Sequence, residues 1–478
     1  MLDAVDFSGR PFHFIGIGGI GMSALAHVLT QRNLPVSGSD LASSNITQRL
    51  EAQGAQIFLT QGAANITRVA QGVLPQVVCS TAISPANSEY RAAVELGCPI
   101  FHRSDLLAAL MKQYQGIAIA GTHGKTTTSS MVGYLLLKAG LEPTIVIGGE
   151  VNAWEGNAYV GKGVHFVAEV DESDGSLVKH SAQIGVITNI ELDHPDHYTT
   201  LEQVIDTFQI FARQCQQVIG CIDSPAVEKF IQPAITYSLS QAAADYTVDQ
   251  VVYGADGTIA LIIERGQVLG RLNLPILGEH NLSNALAAIA IGRLVGLEFG
   301  QIATILASFE GARRRFEHRG EYNRILFIDD YGHHPSEIQV TLAAARLRAE
   351  STTDPRRVIA VFQPHRYSRT QTFLAEFAES FGNADLVITT DIYSAGEADL
   401  GQVTGLQLAE AIATRHPQSI YQPSLQTVSA YLMETLLPGD LVLFLGAGNL
   451  NRVIPELMSF YQKIQQKQPI PSSIPSLR

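Results

Sequence analysis

An α/β fold in three domains with mostly parallel sheets is predicted by three features of this 478-residue chain. Short apolar runs of strand length alternate with stretches of helical period from one end to the other. Two of the strand-to-helix junctions are rich in glycine, at Gly16–Gly21 and Gly121–Gly124. The pattern also restarts twice, after the polar linker Lys112-Gln113-Tyr114-Gln115 and near Arg319-Gly320-Glu321. These restarts divide the chain into 1–114, 115–319 and 320–478.

Composition narrows the function class. Hydrophobic residues make up 46% and charged residues 16%, as in a globular protein. A net charge of −13 argues against nucleic acid as a partner, though not against a small phosphorylated ligand. The four cysteines show no C-x-x-C spacing and read as reduced thiols. The acidic start Met1-Leu2-Asp3-Ala4-Val5-Asp6 does not resemble a signal peptide. No apolar run reaches the roughly 18 residues of a membrane span. The expectation is a cytoplasmic protein with no membrane insertion, a monomer or weak homodimer, with a disordered Pro/Ser-rich tail after about residue 467.

In the first segment the strand Phe12-His13-Phe14-Ile15 runs into Gly16-Ile17-Gly18-Gly19-Ile20-Gly21 and a helix bearing Met22, Leu25, Ala26 and Leu29. Glycines 16, 18 and 21 fit the G-x-G-x-x-G fingerprint, and Asp40 follows about 20 residues later. Such a turn lets a diphosphate approach the backbone; NAD or another nucleotide diphosphate would fit it. Ser80, Thr81, Ser84 and Asn87 follow the apolar run Val77-Val78-Cys79, at a strand end where doubly wound sheets bind ligands. A plain polar loop is the alternative for these residues.

The second segment opens with Ile117-Ala118-Ile119-Ala120, then Gly121-Thr122-His123-Gly124-Lys125-Thr126-Thr127-Thr128, then Met131, Val132, Leu135 and Leu136 at helical spacing. A strand, a glycine turn and a helix in that order cradle phosphate: backbone N–H groups face the anion, and the helix dipole favours negative charge. Lys125 would reach the outer phosphates and the Thr126 hydroxyl a Mg²⁺ ion. The two glycines are closer together than in the full P-loop pattern, so the loop is short. Glu169 falls within the apolar run His165-Phe166-Val167-Ala168-Glu169-Val170, where a carboxylate needs a partner or a metal. Asp171-Glu172-Ser173-Asp174 follows. His194 comes after the strand Ile184–Ile190 and would lie beside Glu169 if the two strands are neighbours. Carboxylate, imidazole and hydroxyl suit Mg²⁺ or Mn²⁺; the alternative is a solvated acidic rim. The stretch from Tyr246 to Leu274 reads as hairpins with a turn at Ala255-Asp256-Gly257. His280 and Asn281 open a helix, where they would either cap it or meet a purine.

In the third segment, strands at Ile325–Ile328, Val358–Phe362, Leu386–Ile388 and Leu441–Leu445 alternate with helices. Arg313-Arg314-Arg315 is a cationic run, ordinarily a solvated face, yet able to neutralise charge in phosphoryl chemistry. Asp330-Tyr331-Gly332-His333 and His365-Arg366-Tyr367-Ser368-Arg369 follow two strands of one domain and should converge on one crevice. Two arginines three apart would clamp a carboxylate. A diphosphate turn, an ATP cradle with metal ligands, and an Arg/His crevice together suggest ATP-driven ligation of a carboxylate and an amine.

The motifs Gly16-Ile17-Gly18-Gly19-Ile20-Gly21-Met22, Gly121 to Thr127, Glu169-Val170-Asp171-Glu172-Ser173-Asp174, Thr188 to His194, Gly278-Glu279-His280-Asn281, Asp330 to Pro335 and Phe362 to Tyr367 resemble, in order and over nearly the whole chain, the Mur ligases of peptidoglycan synthesis. The similarity is greatest to their alanine-adding branch, and the short phosphate loop is the family's form. The resemblance implies an N-terminal Rossmann-like domain for the UDP moiety, a central P-loop ATPase domain and a C-terminal Rossmann-like domain. It implies ATP and Mg²⁺, with UDP-N-acetylmuramate and L-alanine as substrates, joined through an acyl phosphate with release of ADP and phosphate.

By match, the nucleotide would meet Gly121, Thr122, His123, Gly124, Lys125, Thr126 and Thr127, with His280 and Asn281 at the base and Arg315 and Asp330 near phosphate and ribose. Thr126, Glu169 and His194 would hold the metal. Gly18, Gly19, Asp40, Ser80, Ser84, Asn87 and Glu172 would contact substrate. Tyr331, His333, His365, Arg366 and Arg369 would surround the amino acid. Lys125, Glu169, His194, Arg315 and His333 are the expected catalytic residues, and domain closure is expected. Sibling ligases use a carbamylated lysine; none is present around Phe208-Gln209-Ile210-Phe211, so no carbamate is predicted. The rival readings are a ligase that recycles a preformed tripeptide onto the same nucleotide, an NAD-dependent oxidoreductase, and a catalytically dead nucleotide-binding regulator.

Overall fold

The structure, a computed structural model, describes residues 4–70, 72–350 and 355–467. The tail expected to be disordered lies outside the described residues. The chain forms two compact units. One runs to Arg313 apart from two short segments, Tyr253–Gly257 and Leu277–Glu279; the other holds those segments and the chain from Arg314 on. Three sheets carry the α/β architecture, mostly parallel as predicted.

The first sheet has five parallel strands in the spatial order Gln56–Phe58, Val36–Ser39, Phe12–Ile15, Gln76–Cys79, Ile100–His102. The winding reverses between Phe12–Ile15 and Gln76–Cys79, which pair directly. The glycine turn and the Ser80–Asn87 loop therefore open side by side at the switch point, where such sheets take ligands. Beneath them runs a buried polar network that the apolar reading of this strand did not anticipate. The Glu89 carboxylate accepts from His13 Nε2 at 2.9 Å, Ser39 Oγ at 2.5 Å and Asn65 Nδ2 at 2.9 Å. With every member bonded, the network can be buried without an unsatisfied charge.

In the second sheet the strand Gln115–Ala120 is central, paired on one side with His165–Glu169 and on the other with Ile184–Ile187. The strands leading to Glu169 and His194 are thus not neighbours; the phosphate-loop strand lies between them. Ile117, Ala118, Ile119 and Ala120 are all at most 1% exposed, and so apolar a strand takes the middle of the sheet. Glu169 is the last residue of its strand and half-buried, not enclosed within it. The predicted hairpins extend this sheet through Tyr246–Gly254, Gly257–Glu264 and Gln267–Leu274. Arg265 and Gly266 make the tight turn of the second, with φ of 48° and 77°. Two helices of the second sheet, Lys125–Lys138 and Glu279–Leu294, are buried on nearly every side. They are core helices, and the polar residues they carry are rigidly held.

In the third sheet Leu441–Leu445 lies between Ile325–Asp330 and Val358–Phe362. Leu386–Thr389 and Ser419–Tyr421 continue it in parallel, and Glu317–Tyr322 closes the other edge antiparallel. Helices start at capping boxes where serine or threonine precedes a polar N3 residue, as at Thr404 with Gln407 and Ser424 with Thr427. No helix among the described residues is long and apolar enough to cross a membrane.

Candidate active site

The phosphate loop is built by fit to the strand end beside it. Gly121 has φ +138°, and a Cβ there would overlap Thr188 Oγ1. Gly124 has φ +81° and precedes the helix; a Cβ there would lie 2.7 Å from Asn284 Oδ1. Both positions therefore demand glycine. The Thr188 hydroxyl donates to the His123 carbonyl at 2.6 Å, and Asn189 Oδ1 accepts from His123 N–H at 2.8 Å. Thr122 Oγ1 accepts from Glu191 N–H at 2.9 Å. His123 Nε2 lies 3.4 Å from Glu191 Oε2.

Lys125 Nζ curls over its own loop, donating to Gly121 O at 2.6 Å and Thr122 O at 3.1 Å, and meets both Glu172 oxygens at 2.9 and 3.1 Å. Burial opposes its charge, but Glu172, Asp171 and Glu169 hold the ammonium above its ordinary range. Burial, with Asp171 beside it, pushes Glu172 up to about 7 despite Lys125. Burial would raise Asp171 too, yet Lys125, Arg103 and His194 hold it well below the usual carboxylate range. The Thr126 hydroxyl donates to Glu169 Oε1 at 3.0 Å, and Glu169 Oε2 accepts from Gly148 N–H at 2.7 Å. His194 has φ +54° and groups with Asp171 and Glu172, their ligating atoms within 4.8 Å of one another.

Of the predicted base-binding pair, His280 and Asn281 lie in the first turn of the helix Glu279–Leu294. Asn281 Oδ1 accepts from Asn284 at 3.3 Å, and Asn284 Oδ1 accepts from the Thr128 hydroxyl at 3.0 Å. Asn284 went unremarked in the sequence; its spacing of three from Asn281 on one helix was the available signal. Thr127 is buried in the first turn after Lys125.

At the first sheet, Asp40 Oδ2 accepts from Gly18 N–H at 2.8 Å, so the acidic residue braces the glycine turn. Gly19 is the N-cap of the helix Ile20–Gln31. Asn87 Oδ1 caps the helix Ser88–Glu95, accepting from Glu89 and Tyr90 N–H groups. Ser80 follows the strand Gln76–Cys79 and is half-buried, and Ser84 is exposed.

Behind the acidic loop, His180 is 1% exposed, and its Nδ1 makes no hydrogen bond among the described residues. Burial pushes it down to about 4. Below its ordinary pKa of about 6.5 the unfolded chain binds a proton that the native chain refuses. Stability is therefore expected to fall as pH drops from about 6.5 to about 4, by about 3 kcal/mol from this group. Urea denaturation across that window should show the slope, and His180→Gln should flatten it; an unchanged slope in the variant would refute the assignment.

The second unit holds its own cluster. Asp330 ends its strand, buried, and accepts from Phe316 and Gly332 N–H groups at 2.7 Å each. Burial pushes its carboxyl up to about 6, against Arg315 and those two bonds. Arg314 and Phe316 have φ of 56° and 51°, a bent segment that lays both Arg314 and Arg315 over the Tyr331 ring at 5.0 and 5.1 Å. His333 packs on Tyr331 at 5.4 Å and on His365 at 5.5 Å, so the two strand ends do converge. Tyr393 stacks on His365 at 5.8 Å, and Glu337 lies 3.3 Å from His333 Nδ1; neither residue was singled out in the sequence.

The expected arginine clamp is split. Arg369, 1% exposed, turns inward to His365 Nδ1 at 3.2 Å, while Arg366 meets Glu397 at 3.3 Å. Arg366 has φ +73° and is the N-cap of the helix Tyr367–Thr372, so helical spacing does not align the pair.

Family models match three consecutive parts of the chain: "Mur ligase family, catalytic domain" over residues 11–115, "Mur ligase middle domain" over 119–292, and "Mur ligase, glutamate ligase domain" over 314–448. The UDP-N-acetylmuramate–L-alanine ligase of Nostoc punctiforme is 64% identical over 476 residues, covering 96% of this chain and 98% of that one. Its counterpart from Cyanothece sp. is 61% identical over 474 residues, covering 97% and 98%. Among solved structures, the UDP-N-acetylmuramate–alanine ligase MurC of Thermotoga maritima superposes with a TM-score of 0.81 at 27% identity, covering 95% of this chain and 99% of that one. The murein peptide ligase of Psychrobacter arcticus shares the fold, with a TM-score of 0.70 at 23% identity and the same coverage. On these matches and the phosphate loop they span, the chain belongs to the Mur ligase family.

Proposed function

We propose that this chain joins L-alanine to the lactyl carboxylate of UDP-N-acetylmuramate at the expense of ATP, in peptidoglycan precursor synthesis. The carrying observation is the near full-length identity to alanine ligases, which is also why the tripeptide-recycling alternative is not favoured. The chain is an ATP-dependent ligase, and its geometry supports a role for each group. A carboxylate carbonyl is a poor electrophile, so an oxygen of the lactyl carboxylate takes the γ-phosphoryl group from ATP and ADP departs. The amine of L-alanine then attacks the acyl carbon, loses a proton, and phosphate leaves.

Lys125 stays protonated and neutralises the phosphoryl group in transfer, while the backbone of Gly121–Gly124 receives the phosphates. Glu172 holds Lys125 in place until phosphate takes its charge. The oxygens of Thr126 and Glu169, 3.0 Å apart beside the loop, with the His194 imidazole, suit Mg²⁺ or Mn²⁺. A bound cation there would screen the phosphoryl oxygens. Gly18, Gly19 and the Asp40-braced turn receive the UDP diphosphate, with Ser80 and Ser84 at the adjoining strand end. His280 and Asn281 meet the nucleotide base. In the second unit Arg315 and Asp330 are the groups for phosphate and ribose, while Tyr331, His333, His365 and Arg366 meet the amino acid, Arg369 holding His365.

The test is ATP-dependent phosphate release with Mg²⁺ and UDP-N-acetylmuramate, with L-alanine in one reaction and the tripeptide in another. L-Alanine should stimulate release and the coupled product should be seen by mass. Release with the tripeptide alone would overturn the reading.

A further inference from the structure

Asp171, Glu172 and Asp174 put three carboxylates into four residues beside Glu169, and two cations divide them. Lys125 takes Glu172. Arg103 takes the others, its Nη2 lying 3.5 Å from Asp171 Oδ2 and 3.6 Å from Asp174 Oδ2. Arg103 opens the helix Arg103–Met111, which leaves the last strand of the first sheet. A side chain of the first sheet thus holds the acidic loop of the second. The same guanidinium also lies against the helix that follows the glycine turn: its Nη1 is 3.6 Å from where a Cβ would stand at Gly21.

The neighbouring contacts follow the same pattern. His102 Nε2 lies 3.4 Å from Asp174 Oδ2, and Lys179 Nζ lies 2.8 Å from Asp105 Oδ1. The loop is anchored from its own side, since the Tyr198 hydroxyl donates to Glu172 O at 2.8 Å and Asp174 Oδ1 accepts from Ser176 N–H at 3.0 Å.

We propose that Arg103 is a positioning residue that couples the glycine turn of the first sheet to the acidic loop beside the phosphate cradle, so that binding at either site strengthens binding at the other. This rests on the reading of that turn as the diphosphate site. A guanidinium presents five donors spread over a rigid planar fork, where an ammonium presents three on one atom, so it spans more widely separated partners. The Arg103 contacts are longer than the roughly 2.7–2.9 Å of tight charge-assisted bonds, so the joint is loose. The first ligand bound orders Arg103 and the acidic loop, and the second then meets a joint already ordered, which gives positive coupling.

Calorimetry on the full chain tests this by titrating UDP-N-acetylmuramate with and without a non-hydrolysable ATP analogue and Mg²⁺. In the wild type the analogue should tighten UDP-sugar binding about fivefold or more. In Arg103→Ala that factor should fall below about twofold, while each ligand alone binds within about threefold of wild type. Arg103→Lys should keep part of the factor. A wild-type factor near one, a full factor in Arg103→Ala, or loss of either ligand alone in a folded Arg103→Ala would each overturn the proposal. If Arg103→Ala does not fold, the isosteric Asp174→Asn decides: a reduced factor supports the coupling and a full one overturns it. A wild type that binds no UDP-sugar would instead overturn the functional reading.

Discussion

Replacing Lys125 with alanine is expected to lower turnover by about 10³-fold or more, because on the proposed reading the phosphoryl group in transfer loses the charge of Lys125. UDP-sugar binding should stay nearly intact, since Lys125 makes its contacts within the second sheet and not at the glycine turn. The structure adds a second expectation. Glu172 is 1% exposed and Lys125 is its cation, so the variant leaves a buried carboxylate unpaired. Stripping one partner from such a pair costs about 3–5 kcal/mol. Thermal melts should therefore show Lys125→Ala destabilised. The double variant Lys125→Met/Glu172→Gln should recover most of that stability and none of the turnover. Steady-state phosphate release and UDP-sugar titration on the folded variants separate the two effects. Normal turnover in Lys125→Ala would sink the phosphate-loop assignment.

Gly121→Ala is expected to act through shape. The new Cβ would overlap Thr188 Oγ1 and would force a non-glycine residue to φ +138°. Overpacking and backbone strain each cost about 1–3 kcal/mol, so a loss of about 3 kcal/mol or more is expected, along with most nucleotide affinity. Thr188 also fixes the His123 carbonyl, so its displacement moves the loop that receives phosphate. Gly121→Ala/Thr188→Ala removes the overlap but not the φ strain, and should recover part of the stability. Denaturant midpoints and nucleotide titration of the three proteins check this. A Gly121→Ala protein with wild-type stability and ATP affinity would show that the loop does not rest on Thr188.

Those two variants also mark where the sequence was legible. The order of residues around Lys125, an apolar strand, a glycine turn and a helix, determined the cradle locally, because a phosphate loop is made by consecutive residues. The alternation of strands and helices likewise determined the three α/β sheets, since periodicity is a local property. The glycine turn at Gly16–Gly21 followed from glycine spacing, the hairpins from Tyr246 from a turn between apolar runs, and the meeting of His333 with His365 from strand ends, and they stand in the structure as read.

What the sequence left undecided depends on which strands become neighbours. Glu169 could be assigned to a strand and His194 to the end of another, but not to opposite sides of the phosphate-loop strand, because strand order is a global choice. Asn284 reaches Thr128 across 156 residues, and no local pattern marks such a pair. Arg366 and Arg369 looked like a fork, but Arg369 turns inward to His365 while Arg366, at a positive φ, meets Glu397. Arg103 was not singled out in the sequence; folding placed it between the glycine turn and the carboxylates of Asp171 and Asp174. The residue types and their spacing determined the chemistry this chain carries. Only the tertiary structure decided which charges share a partner, because burial and long-range pairing set the cost of each charge and neither is encoded in neighbouring residues.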